Sequence, residues 1–243
     1  MVTDEGVCIR QWDWSETSQT VSIFTRDQGV IRGIAKGSKR ENTRFSGGIE
    51  VMTRAEVISS SKPTDGLTLL AAWDLLETYP AARRSLSAFY AGMTMLDLVH
   101  HALSERDPHP ELYDALLEGL RALGGPEGDR WPLLRLLWNV LSETGHRPEL
   151  HRDASTGGKL EPANSYAFSA RMGGLTADTH DSGAPVWRLR AGTVDLLRNL
   201  AAGAPAPNDP PSIDRATRLL ALYFREVFAC ELPSLKQWLD KPT

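Results

Sequence analysis

Five short runs of strand-forming residues, at 7–11, 20–25, 30–36, 49–59 and 67–72, follow one another at the start of this chain with turn-rich pieces between them. Five strands in roughly 75 residues close most simply into a small barrel. The clearest pair is a hairpin. Residues 20–25 are β-branched or aromatic with small hydroxyls between, residues 30–36 are again apolar, and Arg26-Asp27-Gln28-Gly29 supplies the turn. In the fourth run Val51, Thr53, Ala55 and Val57 alternate with Met52, Arg54, Glu56 and Ile58, so one face turns inward while the other carries charge.

Beyond the fifth run the period changes from two to between three and four. Residues 85–103 place Leu86, Phe89, Tyr90, Met93, Leu96 and His100 at helical spacing. Residues 111–123 repeat the pattern behind Pro108 and Pro110, and Pro132 suits the first turn of an almost wholly apolar helix containing Leu133 to Leu141. Between 146 and 186 periodicity fades and Gly, Ser, Thr and Asp accumulate, which predicts an irregular insertion. Helical runs return at 193–202 and, after A-P-A-P-N-D-P-P, at 212–229. The expectation is an α+β chain of two domains, 1–79 a β-barrel and 80–243 helical, with 146–186 inserted in the second.

At 243 residues such a chain buries a sizeable core, and 41% hydrophobic with 24% charged residues is an ordinary globular composition that excludes large-scale disorder. Cys8 and Cys230 are the only cysteines and form no close pair, which fits a reducing, cytoplasmic setting. No run reaches 18 apolar residues and no N-terminal stretch reads as a signal peptide, so no membrane partner is expected.

Charge is uneven. The window 26–54 holds seven Lys and Arg against three acids, a balance of +4 inside a chain of net charge −4. After Lys36 comes Gly37, Ser38, Lys39, Arg40, Asn42, Thr43 and Arg44, a polar loop that cannot build core. A loop of this kind beside a five-stranded barrel favours an OB-fold, which binds single strands with cations along the phosphates and aromatics under the bases. The candidate contacts are Lys36, Lys39, Arg40 and Arg44, with Arg26 and Arg32 behind them. A solvated face is the plain alternative. The aromatics available are Trp12, Trp14, Phe24 and Phe45, each open to a barrel-core role or a stacking role.

Catalytic patterns are wanting. Gly33 followed by Gly37-Ser38-Lys39 lacks the order of a phosphate loop, and neither Gly-x-Ser-x-Gly nor His-Glu-x-x-His occurs. His100 and His101 point about 100° apart on a helix, one to pack and one to face water.

The strings W-S-E-T-S, F-T-x-x-x-G, A-K-G and the nearby K-R…R-F stand in one order along residues 14–45. Gly145 to Leu150 (G-H-R-P-E-L), Gly173-Gly174-Leu175 and Thr217 to Phe224 (T-R-L-L-A-L-Y-F) follow later. In this order they resemble the RecO family of bacterial recombination mediators across nearly the whole chain. The resemblance implies an N-terminal OB barrel and a helical domain carrying a zinc-ribbon-like insertion. It implies DNA repair and recombination in the RecFOR pathway. Such a protein binds single- and double-stranded DNA, anneals strands and, with RecR, assists RecA on strands coated by single-strand-binding protein.

The family's four zinc cysteines fall on Asp153, Thr156, Ala177 and His180, so no structural zinc or other cofactor is expected; His151, Asp153 and His180 alone would make a poor three-ligand site. Relatives dock the acidic, apolar C-terminal tail of single-strand-binding protein. The last helix offers Arg215, Arg218 and Arg225 with Leu219, Leu220 and Phe224 for that purpose, or a merely solvated basic stripe. The rivals to a non-enzymatic DNA mediator are an RNA-binding OB protein and an enzyme whose site leaves no local pattern.

Overall fold

The computed structural model describes residues 1–239 other than 42, 46, 65, 127 and 178–184. Strands β1 (Val2–Asp13), β2 (Gln19–Thr25), β3 (Gly29–Ala35), β4 (Arg54–Ser59) and β5 (Thr68–Glu77) form a closed barrel in the order β1-β2-β3-β5-β4. β4 returns to pair with β1, and β3 with β5 is the one parallel joint of the barrel. This is the OB-type barrel that five short runs and their turns predicted. Its interior is filled by alternate residues, among them Val21, Ile23, Ile31, Ala55, Val57, Leu70 and Trp73. Gly29 ends the hairpin turn at φ 69, and a Cβ there would lie 2.3 Å from the Asp107 carbonyl oxygen, so no other residue fits both the turn and its neighbour.

Two strand expectations need correction. The fourth strand begins at Arg54, not residue 49, because Met52 adopts φ 61 and turns its side chain into full burial against Gly92 of the helical part. The predicted outward position of Met52 is therefore reversed. The fifth strand runs on to Glu77.

The helices are α1 (Leu86–Ala102), α2 (Pro110–Ala122), α3 (Arg130–Glu143), α4 (Ala191–Ala201), α5 (Pro210–Phe228) and α6 (Pro233–Leu239). Ser85 caps α1 by accepting from Ala88 N, and Asp209 caps α5 by accepting from Ser212 N. The stripe expected on α1 was too narrow. Leu86 is exposed, whereas Ala88, Ala91, Thr94, Met95, Asp97, Leu98 and Val99 are all buried, because α1 is wedged between the barrel, α2, α3 and α6.

The segment 146–186 is not wholly irregular. β6 (Ser165–Ser169), β7 (Gly174–Thr176) and β8 (Val186–Arg190) make an antiparallel sheet in the order β7-β6-β8. Phe168 and Leu175 are completely buried, and the Phe168 ring stacks on Trp187 and meets Tyr223 of α5 edge-on. Strands of three to five residues rich in Ser, Thr and Gly carry too little alternation to be read beforehand.

One core spans both halves of the molecule. Val7, Ile9, Phe24, Val30 and Met52 leave the barrel's outer surface to pack with the helices, and Phe24 meets Tyr113 edge-on at 5.5 Å. Beside them Arg10 of β1 pairs with the nearly buried Asp97 of α1 at 2.5 Å. No helix among the described residues is long and apolar enough to cross a membrane.

Candidate nucleic-acid interface

Two loops meet at one end of the barrel. The β1–β2 loop closes on itself through Trp14 N donating to Ser18 O, and it then holds the β3–β4 loop: Gly37 N donates to Ser18 Oγ at 3.0 Å and Lys39 N to Thr17 O at 3.1 Å. Beneath both lies Gln19, nearly fully buried. Its Oε1 accepts from Ser38 Oγ and Ile49 N, each at 2.9 Å, while its Nε2 donates to Ile49 O. The start and finish of the basic loop are thus fixed to one amide, and the loops form a single ledge.

On that ledge Lys36, Arg40 and Arg44 are exposed and have no ion pair among the described residues. Arg44 is held by its backbone, whose carbonyl accepts from Trp73 N at 2.8 Å. Lys39 lies 2.5 Å from Asp13, an exposed pair that salt and a competing anion readily exchange. Arg26 and Arg32 sit elsewhere. Arg26 makes a two-pronged bond to Asp114 of α2, and Arg32 stands 3.7 Å from Glu105, so both lean toward the helical part with their charge partly cancelled. Asn42 lies outside the described residues.

The aromatics divide. Phe24 and Phe45 are buried, which makes them core, whereas Trp12 and Trp14 are 47% and 62% exposed. His100 and His101 stand with rings 5.1 Å apart, the first half-buried and the second exposed; partial burial, reinforced by Arg10, lowers the pKa of both.

Helix α5 corrects a further expectation. Leu220 and Phe224 are fully buried and offer nothing to a partner, and Arg215 turns to Ser212 Oγ. The accessible feature is a cleft of about 210 Å³ between α5 and α6, lined by Arg218, Leu222, Arg225, Leu232, Leu235 and Lys236. Arg225 pairs there with Glu231. The helical spacing located the arginines, but which apolar residues faced out depended on α3 and α4, against which α5 packs, and no period on α5 encodes that.

The residues at the four zinc positions do not fit a zinc ion. Ala177 has no ligand atom, Thr156 Oγ1 accepts from Gly158 N, and His180 lies outside the described residues. Asp153 is spent otherwise: Oδ1 accepts from Ser155 Oγ, Ser155 N and Thr156 N, and Oδ2 from Ala177 N at 2.7 Å. The Ser155 hydroxyl and then the Ala177 amide hold this carboxyl at a pKa of about 2. One side chain joins the two segments a metal would have joined. Nearby, Glu149 exchanges backbone bonds with Gly173 and Leu175, so the R-P-E-L and G-G-L strings lie side by side. No group of three His, Cys, Asp or Glu suited to a metal occurs among the described residues.

Residues 1–79 match the family model described as Recombination protein O N terminal, and residues 83–236 match that described as Recombination protein O C terminal. The chain is 30% identical over 214 residues to the DNA repair protein RecO of Rhodopirellula baltica, covering 87% of this chain and 78% of that one. It is 29% identical over 228 residues to the DNA repair protein RecO of Syntrophobacter fumaroxidans, covering 92% and 86%. A third relative, the DNA repair protein RecO of Anaeromyxobacter sp., is 26% identical over 246 residues, covering 97% and 94%.

Proposed function

Because the chain belongs to the RecO family of DNA repair proteins, we propose that it is a cytoplasmic recombination mediator without catalytic activity. It binds single- and double-stranded DNA, anneals complementary strands and, with RecR, helps RecA load onto strands coated by single-strand-binding protein. Its two working units are residues 1–79 and 80–243. The observation that supports this most is the pinned ledge, where Lys36, Arg40 and Arg44 face solvent with no ion pair among the described residues and Lys39 needs only to exchange Asp13 for a phosphate. Cations placed so release counterions from a strand and lower the repulsion between two strands brought together, which is all that annealing asks of a protein. Arg26 and Arg32, engaged with Asp114 and Glu105, contribute less.

Every single-strand phosphate that the protein ceases to neutralise flattens the log–log salt dependence of binding by roughly 0.7. The triple variant Lys39→Ala/Arg40→Ala/Arg44→Ala is therefore expected to flatten it by about 2. Unchanged affinity and slope would place the DNA on another surface.

We assign the tail of single-strand-binding protein to the α5–α6 cleft. Leu222, the exposed apolar residue of the cleft wall, suits its apolar end, with the buried Leu232 and Leu235 forming the floor, and Arg218, Arg225 and Lys236 suit its carboxylates. The double reversal Arg218→Glu/Lys236→Glu should weaken a labelled tail peptide about tenfold or more by fluorescence anisotropy, with little effect on naked DNA. Equal peptide affinity for wild type and variant would remove the cleft from this role.

A further inference from the structure

We propose that Trp12 and Trp14 form a base-stacking platform for an unpaired nucleic-acid strand on the outer face of the barrel. The inference rests on the reading of the ledge as a phosphate-binding surface and adds what lies under the bases. Pairing across the sheet sets Trp12 opposite Thr20, Thr20 opposite Ile34, and Ile34 opposite Leu69. This row crosses β1, β2, β3 and β5 on the side away from the barrel interior. Trp12 and Leu69 are 47% and 44% exposed, and Thr20 and Ile34 are half-buried. Trp14 extends the row into the β1–β2 loop at 62% exposure, on a backbone fixed by its bond to Ser18.

The molecule buries indoles wherever it has the means. Trp73, Trp131, Trp138 and Trp238 are all 7% exposed or less, and Trp187 is half-buried against Phe168. Two tryptophans left in water two residues apart, one at the end of β1 and one in the loop that follows it, offer their faces to a flat partner. The charge beside them selects which. Lys36 follows Ile34 on the same face, and Lys39 reaches Asp13, which lies between the two tryptophans in sequence. With Arg40 and Arg44 of the same ledge these cations number four against three local acids, Asp13, Glu16 and Glu41. The centre of a protein-binding patch is depleted of such charges. Aromatic faces bordered by cations are instead the chemistry of single-strand recognition, and a duplex, whose bases are already stacked, gains nothing from them.

The test uses the full chain with a labelled oligothymidine, an abasic strand of equal length and a duplex, all read by anisotropy across salt. Trp12→Ala and Trp14→Ala should each weaken oligothymidine binding roughly 5- to 100-fold while leaving the salt slope unchanged, since the same phosphates stay neutralised. Abasic strand and duplex should bind both variants as they bind wild type, and Trp14→Phe should restore much of the oligothymidine affinity. Oligothymidine should also quench the exposed tryptophan emission of the wild type. Tryptophan variants that bind oligothymidine as tightly as wild type, or that weaken toward the abasic strand in equal measure, would overturn the platform and leave the face to a protein partner. The Lys39/Arg40/Arg44 triple variant judges the cationic ledge separately: its slope responds to that reading whatever the tryptophan variants do.

Discussion

Gln19 shows how much of this site is invisible along the chain. Its three side-chain bonds reach Ser38 and Ile49, 19 and 30 residues away, and no spacing marks a glutamine at the start of a strand for that duty. Composition found the ledge; only the structure shows what holds it still. Gln19→Leu leaves a buried amide and carbonyl of Ile49 without their partners, which costs about 2 kcal/mol in urea denaturation, and the Ile49 amide should exchange with solvent markedly faster. Stability and exchange equal to wild type would mean the loop holds itself. Arg26 and Arg32 teach the same lesson in reverse. In sequence they resemble the ledge cations, yet Asp114, the acid that engages Arg26, lies 88 residues away.

Among the elements, strands and helices with a full period were legible and those without one were not. The barrel strands are β-branched or apolar runs of six residues or more between turns, with clear alternation in β4, and the helices after residue 85 carry apolar rows of three or four turns. Met52 broke the fourth strand because the helices needed its side chain, a tertiary demand that overrides local alternation. The small sheet β6–β8 escaped notice because strands of three to five residues show no period, and Asp153, which ties the start of the segment to the end of β7, leaves no pattern either. Asp153→Asn keeps the shape but turns a donor toward amides that need an acceptor, and it should destabilise the protein by about 2–3 kcal/mol. A carboxyl whose pKa falls from 3.8 to about 2 on folding stabilises fully above pH 4. That contribution should fade as the pH drops from there toward 2, and Asp153→Asn should abolish this part of the acid dependence. A chelator should leave the melting temperature of the wild type unmoved, because no metal free energy is linked to folding. A lower melting temperature in chelator would overturn that view of the segment.

For the molecule as a whole, the division into a barrel followed by helices was readable, but the seam between them was not. Period and composition say where one kind of element gives way to another; they do not say that Val7, Ile9, Phe24, Val30 and Met52 belong to the far side. Expression of residues 1–79 alone is expected to give an aggregating species by size-exclusion chromatography, whereas the full chain stays dispersed. A well-dispersed fragment with a sharp melting transition would show that the barrel stands alone. An aggregating fragment would make the joint core the unit of inheritance: neither half would be a portable cassette that a gene fusion can lift into another protein, and the ledge and the α5–α6 cleft would travel together wherever the chain goes.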